Sequence, residues 1–127
     1  MPEKHLFEYA VIRVVPRVER EEFLNVGIIL YCASQKFLKL AYNLDEERLK
    51  ALCKHLDTWE LLERLRGYEK ICSGIKEGRP ISLLPVASRF RWLTASRSTI
   101  IQTSKIHPGL CVDANETLRR LMLDIVL

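Results

Sequence analysis

Phe7-Glu-Tyr-Ala-Val-Ile-Arg-Val-Val-Pro-Arg-Val-Glu-Arg-Glu-Glu-Phe-Leu-Asn-Val-Gly-Ile-Ile-Leu-Tyr-Cys32 is the stretch whose reading decides the fold. Two runs dense in Val, Ile, Leu and Tyr flank a charged link from Arg17 to Glu22. Such residues suit a pleated, packed surface, so Phe7 to Val15 and Phe23 to Cys32 read as strands, with Pro16 stopping the first. Alternation places Phe7, Tyr9, Val11, Arg13 and Val15 on one face of the first strand. Leu6, Glu8, Ala10, Ile12 and Val14 take the other. Both faces are mostly apolar, so this strand is expected to lie inside a covered sheet. In the second strand Leu24, Val26, Ile28, Leu30 and Cys32 share a face. Antiparallel pairing of Val15 with Phe23 then sets Arg13 opposite Asn25, Val11 opposite Gly27 and Tyr9 opposite Ile29.

Working outward, the turn Ala33-Ser-Gln-Lys36 leads to a third strand, Phe37 to Tyr42, and the three strands make an antiparallel meander. The middle of the chain is helical. Asp45 to about His55 aligns Leu49, Leu52, Cys53 and Leu56, with Asn43 and Glu46 at capping-box spacing. Asp57 and Glu60 repeat that spacing before a stripe of Leu61, Leu65, Tyr68, Cys72 and Ile75, which Gly78 and Pro80 are expected to end. Pro85 opens a short helix through Trp92, since its fixed φ suits a first helical turn. Thr99 to Thr103 reads as a fourth strand and His107-Pro-Gly as a turn. Asp113 and Glu116 precede a last helix with Leu118, Leu121, Met122 and Ile125 inward. The order βββ-αα-α-β-α, strands first and helices later, argues an α+β fold. It has a mainly antiparallel four-stranded sheet and helices packed on one face.

The chain's 127 residues read as a single domain over 1–127, long enough for a core without disulfide staples. With 48% apolar and 28% charged residues it is excluded from the disordered and fibrous classes. Its longest apolar run, Val26 to Ala33, is eight residues where a bilayer needs about twenty. The start Met1-Pro-Glu-Lys-His has no secretory pattern. Cys32, Cys53, Cys72 and Cys111 lack the two-residue spacer of a zinc or redox motif, so free thiols in a reducing, cytoplasmic compartment are expected, with no metal and no cofactor.

Charge is uneven. From Gly78 to Val112 there is no Asp or Glu, while Arg79, Arg89, Arg91, Arg97 and Lys105 give +5. Elsewhere 15 Lys and Arg face 16 Asp and Glu, so this segment carries the whole net charge of +4. It also holds eight hydroxyl side chains, Ser98 among them. Sustained positive charge with hydroxyl donors suits phosphate, nucleic acid or an acidic protein.

Two candidate constellations follow. Arg13 and Asn25 lie side by side on the sheet, and an Arg within a strand is costly unless it is paired or solvated. As a pocket the pair supplies a bidentate anion clamp and a fixed polar contact; as framework, Arg13 holds a carboxylate or a loop. In Arg91-Trp-Leu-Thr-Ala-Ser-Arg-Ser98, Arg91, Arg97 and Ser98 are candidate anion ligands, with Arg89 and Trp92 as possible contacts. A Trp at a helix end also serves as a core anchor. Catalytic patterns are thin. His5, His55 and His107 are scattered, and His107 acting as base for Ser98 or Cys111 needs a contact that spacing does not supply. No glycine-rich phosphate loop is present.

Two motifs carry a resemblance: strand, Arg, Pro, acidic link and Phe-x-Asn-Val-Gly in Tyr9 to Leu30, then Arg-Trp-Leu-x-x-x-Arg-Ser in Arg91 to Ser98. Together they resemble a family of small bacterial proteins known as domain of unknown function 3037. The resemblance implies a bacterial, cytoplasmic setting and Pro where Ser96 stands, so this loop is expected to be less rigid here. It implies no activity and no catalytic residue. It suggests a protein partner, with a HipA-type kinase-like protein as one candidate. The expectation is a non-enzymatic binding or regulatory module with a basic anion-binding face. The alternatives are an enzyme acting on nucleotides or nucleic acid, with Arg13 and Arg97 as phosphate clamps, and a nucleic-acid binder of low specificity.

Overall fold

The computed structural model describes residues 3–74, 80–95 and 99–127. Its strands are β1 (His5–Val14), β2 (Leu24–Cys32), β3 (Phe37–Tyr42), β4 (Ile101–Thr103) and β5 (His107–Cys111). The helices are α1 (Glu46–Leu52), α2 (Thr58–Ser73), α3 (Val86–Leu93) and α4 (Ala114–Leu121), the last running on into a wider π turn over Met122–Val126. The fold is α+β on an antiparallel sheet. β1 is central: β2 and then β3 lie on one side, and β4 and β5 lie end to end on the other.

The apolar faces of β1 explain that position. Ala10, Ile12 and Val14 enter one core with Leu49 of α1, Leu61, Leu65 and Ile71 of α2, and Phe90 and Leu93 of α3. Phe7 and Val11 enter a second core with Ala114, Leu118, Met122 and Val126 of α4 and its π turn. Helices therefore cover both faces of the sheet, not one as expected. The reason is that β1 and β2 each present apolar side chains both ways, and each face needs its own cover.

Register brings a second correction. Arg13 pairs with Asn25 and Val14 with Leu24, as expected, but Ile12 pairs with Gly27, and Val11 with Ile28. Val26 is the extra residue of a β-bulge there. It turns Leu24 and Val26 to the first core while Ile28, Leu30 and Cys32 face the second. Gly27 permits the close approach, because a Cβ on it would lie 2.5 Å from the Ala41 carbonyl oxygen of β3.

Caps follow side-chain chemistry. Asp45, rather than the expected Asn43, caps α1 by accepting from the amides of Glu47 and Arg48. Asp57 accepts from Glu60 N–H at the start of α2, and Asp113 from Asn115 N–H at the start of α4. α2 ends at Ser73 because Gly74 adopts the left-handed conformation (φ 74°). The expected stops at Gly78 and Pro80 therefore come too late; Ile75 and Gly78 lie outside the described residues. His107-Pro-Gly109 is not a turn but the start of β5, a fifth strand, with His107 opposite Tyr9 and Pro108 opposite Glu8. Proline supplies no N–H to a ladder, and an edge strand tolerates that. No helix among the described residues is long and apolar enough to cross a membrane.

Candidate anion site on the sheet

Arg13 sits near the end of β1, with Asn25 of β2 on one side and Gln102 of β4 on the other. Its neighbours Ile12 and Val14 point into the first core, so alternation sends Arg13 to the face that α4 covers. Val11 is the last β1 residue in the second core, and Arg13 lies at the edge of that core's cover. The bulge at Val26 keeps Asn25 opposite Arg13 while the rest of the hairpin shifts by one residue.

The guanidinium lies 4.2 Å above the centre of the Phe23 ring, a cation–π contact on an exposed aromatic. Arg13 is half-buried, and its Nε is fully buried without a hydrogen-bond partner among the described residues. Asn25 Oδ1 is buried and unpartnered in the same way. Among the described residues no carboxylate pairs with Arg13. The result is a cationic donor and a neutral acceptor set side by side. Each buried unsatisfied polar atom costs about 1–3 kcal/mol, which a suitable ligand relieves.

The basic segment divides differently from its sequence pattern. Arg89 is engaged with the fold: its Nε donates to the Leu84 carbonyl at 3.0 Å, and its Nη1 to the carbonyls of Ile71 (2.9 Å) and Cys72 (2.8 Å). It ties the end of α2 to the start of α3 and offers its charge to the α2 C-terminus. Trp92 is half-buried against the first core, edge-on to Tyr68 with centroids 6.3 Å apart, which is the anchor role. Arg91 is exposed. Arg97 and Ser98 lie outside the described residues, a few positions before Gln102, the cross-strand partner of Arg13.

The histidines do not converge. His5 Nδ1 is hydrogen-bonded to Ser34 Oγ at 2.8 Å, His107 packs 5.2 Å from the Tyr9 ring, and His55 is exposed after α1. Cys111 is buried, and burial, reinforced by neighbouring Cys32, raises its thiol pKa, which opposes a nucleophilic role. Among the described residues no group of three His, Cys, Asp or Glu is placed to hold a metal ion.

Phe23 and Gln102 flank the pair although the sequence marks neither as a site residue: Phe23 stands in the expected second strand and in the Phe-x-Asn-Val-Gly motif, and Gln102 in the expected strand Thr99 to Thr103. An aromatic just before Leu-Asn-Val-Gly, beside an Arg on the partner strand, was the available clue to Phe23. Gln102 required knowing that β4 pairs with β1.

A family model described as protein of unknown function (DUF3037) matches residues 9–126. No curated protein and no solved structure matches the chain.

Proposed function

We propose, for a chain that belongs to the DUF3037 family of proteins of unknown function, that it is a non-enzymatic binding module. On this reading it receives an anionic group at Arg13 and Asn25. One observation carries the reading: Arg13 Nε and Asn25 Oδ1 are cross-strand neighbours, both buried, and neither has a hydrogen-bond partner among the described residues. A group that accepts from the first and donates to the second satisfies both, and a protonated phosphate oxyanion does this while meeting the guanidinium charge. Phe23 shields one side, which strengthens the charge interaction by excluding water. Arg97 and Ser98 precede Gln102, the cross-strand partner of Arg13, by a few positions in sequence, so a second cation from the basic segment is available by chain position. The binding reading is preferred to the enzyme because His5 is hydrogen-bonded to Ser34, His107 packs on Tyr9, and Cys32, Cys72 and Cys111 are buried.

The test is thermal unfolding with inorganic phosphate. Saturation at about 100 times Kd stabilises a folded protein by about 2.7 kcal/mol through mass action. Wild type is expected to show this rise, and Arg13→Lys to lose most of it, because an ammonium cannot reproduce a two-nitrogen contact. Asn25→Ala and Arg97→Ala are expected to weaken it. Equal stabilisation of wild type and all three variants means general salt exclusion and overturns the site.

A further inference from the structure

A second cleft, sharing no residue with the Arg13 site, opens between the β1–β2 link and the end of α1. It encloses about 320 Å³, a volume in the range of small-molecule sites. Arg17, Arg20 and Glu22 line it from the link, and Cys53, Lys54 and His55 from the segment after α1. The link is shaped by a single 3-10 turn over Val18–Arg20, closed by Glu21 in the left-handed conformation (φ 56°) with its amide on the Val18 carbonyl. That turn brings Arg20 and Glu22 together as an ion pair. Glu22 is thereby neutralised, and it is the only carboxylate in the lining among the described residues. Arg17 and Lys54 carry no ion pair among the described residues, and they come from different elements. The negative end of α1 accounts for Lys54 and His55 following it. It does not account for Arg17. Pro16 and Leu52 give the cleft an apolar wall beside the half-buried Cys53.

We propose that this cleft binds a small phosphate monoester with a compact apolar body. Two cations from different elements, neither in an ion pair among the described residues, suit a dianion better than a single carboxylate, and the apolar wall suits an ester better than free phosphate. The acidic link hides the site in the sequence, since Glu19, Glu21 and Glu22 neutralise Arg17 and Arg20 on paper.

Cys53 is the built-in reporter. It is half-buried in the cleft, while Cys32, Cys72 and Cys111 are buried. The rate of its alkylation by iodoacetamide, followed by mass spectrometry of the intact folded chain, reads occupancy. Phenyl phosphate is expected to slow the reaction saturably. Benzoate, with the same body and one charge, and inorganic phosphate, with the charge and no body, are expected to act only at higher concentration. Arg17→Gln and Lys54→Gln, both at exposed positions, are expected to raise the apparent Kd for phenyl phosphate about fivefold to tenfold each. Arg13→Lys is expected to leave it unchanged, which separates this cleft from the site on the sheet. Absence of protection by phenyl phosphate, equal protection by benzoate, or protection undiminished in both glutamine variants overturns the proposal.

Discussion

Replacing Arg89 by Met keeps most of the side-chain stem and removes the charge and every donor. The guanidinium makes three contacts to backbone carbonyls, at 2.8, 2.9 and 3.0 Å, through two nitrogens. Two of those carbonyls, on Ile71 and Cys72, belong to the last turn of α2, where acceptors run short of partners within the helix, although that of Ile71 also accepts from the Gly74 amide at 3.2 Å. A hydrogen bond from a charged donor contributes about 1.5–3 kcal/mol. Nη1 serves two acceptors at once and the residue is half-buried, so the lower end applies to each nitrogen. The expected cost is about 3 kcal/mol, equivalent to roughly 10 °C in Tm for a domain of this size. The assay is urea unfolding, with a lowered midpoint at unchanged slope. Arg89→Lys should recover less than half, since one ammonium cannot reach carbonyls on both sides. Gly74→Ala should also destabilise, because its φ of 74° disfavours a side chain and the new Cβ would meet Arg89 Nη1 at 3.1 Å. A loss under about 0.5 kcal/mol for Arg89→Met, the range of ordinary surface changes, would refute the clamp. Reversing the charge of Arg89 thus tests stability, and the charge of the basic segment is better tested at the exposed Arg91.

Three further outcomes follow from the same packing. Burial pushes the Cys72 thiol up to about 12, against 9.0 for a free thiol, with Arg89 pulling the other way and Glu69 adding to the rise. The folded state therefore keeps this proton longer than the unfolded chain: its contribution is complete below pH 9.0 and is lost as pH rises towards 12. Over that window wild type should lose up to about 1.4 kcal/mol per pH unit more than Cys72→Ala, measured by urea midpoints, and parallel curves would remove the effect. Gly27→Ala should cost about 1–3 kcal/mol or more, since its Cβ meets the Ala41 carbonyl oxygen and Tyr42 Cβ across β3; a neutral result would mean the bulge is misplaced. Leu118→Ala, at 3% exposure in the second core, should cost about 2–5 kcal/mol and Asp113→Ala about 1 kcal/mol, and two near-neutral midpoints would mean α4 is not docked on the sheet.

Much of this architecture is written locally. Apolar residues on both faces of Phe7 to Val15 marked an interior strand, and Asp57 and Asp113 marked helix starts by a chemistry confined to one turn. β3 falls where the turn and the pattern place it. The opposition of Arg13 and Asn25 was also legible, because the pairing depends only on where the link reverses the chain.

Long-range contacts decided the rest. The bulge at Val26 arises because two cores, built from helices far along the chain, each claim part of β2. β5 exists because the far half of β1 leaves a ladder open that His107–Cys111 can fill, and no local pattern around Pro108 announces it. Arg89 looked like one more surface cation in an acid-free segment, yet the end of α2 lies against it and takes its hydrogen bonds. Arg17 and Lys54 line one cleft although the charge of Arg17 is cancelled in the link on the sequence. Periodicity and caps are properties of neighbouring residues, so the sequence alone determined the first four strands, most helix starts and the Arg13–Asn25 pair. Which cation is free and which is bound to backbone depends on distances between distant segments, and only the tertiary structure settles those.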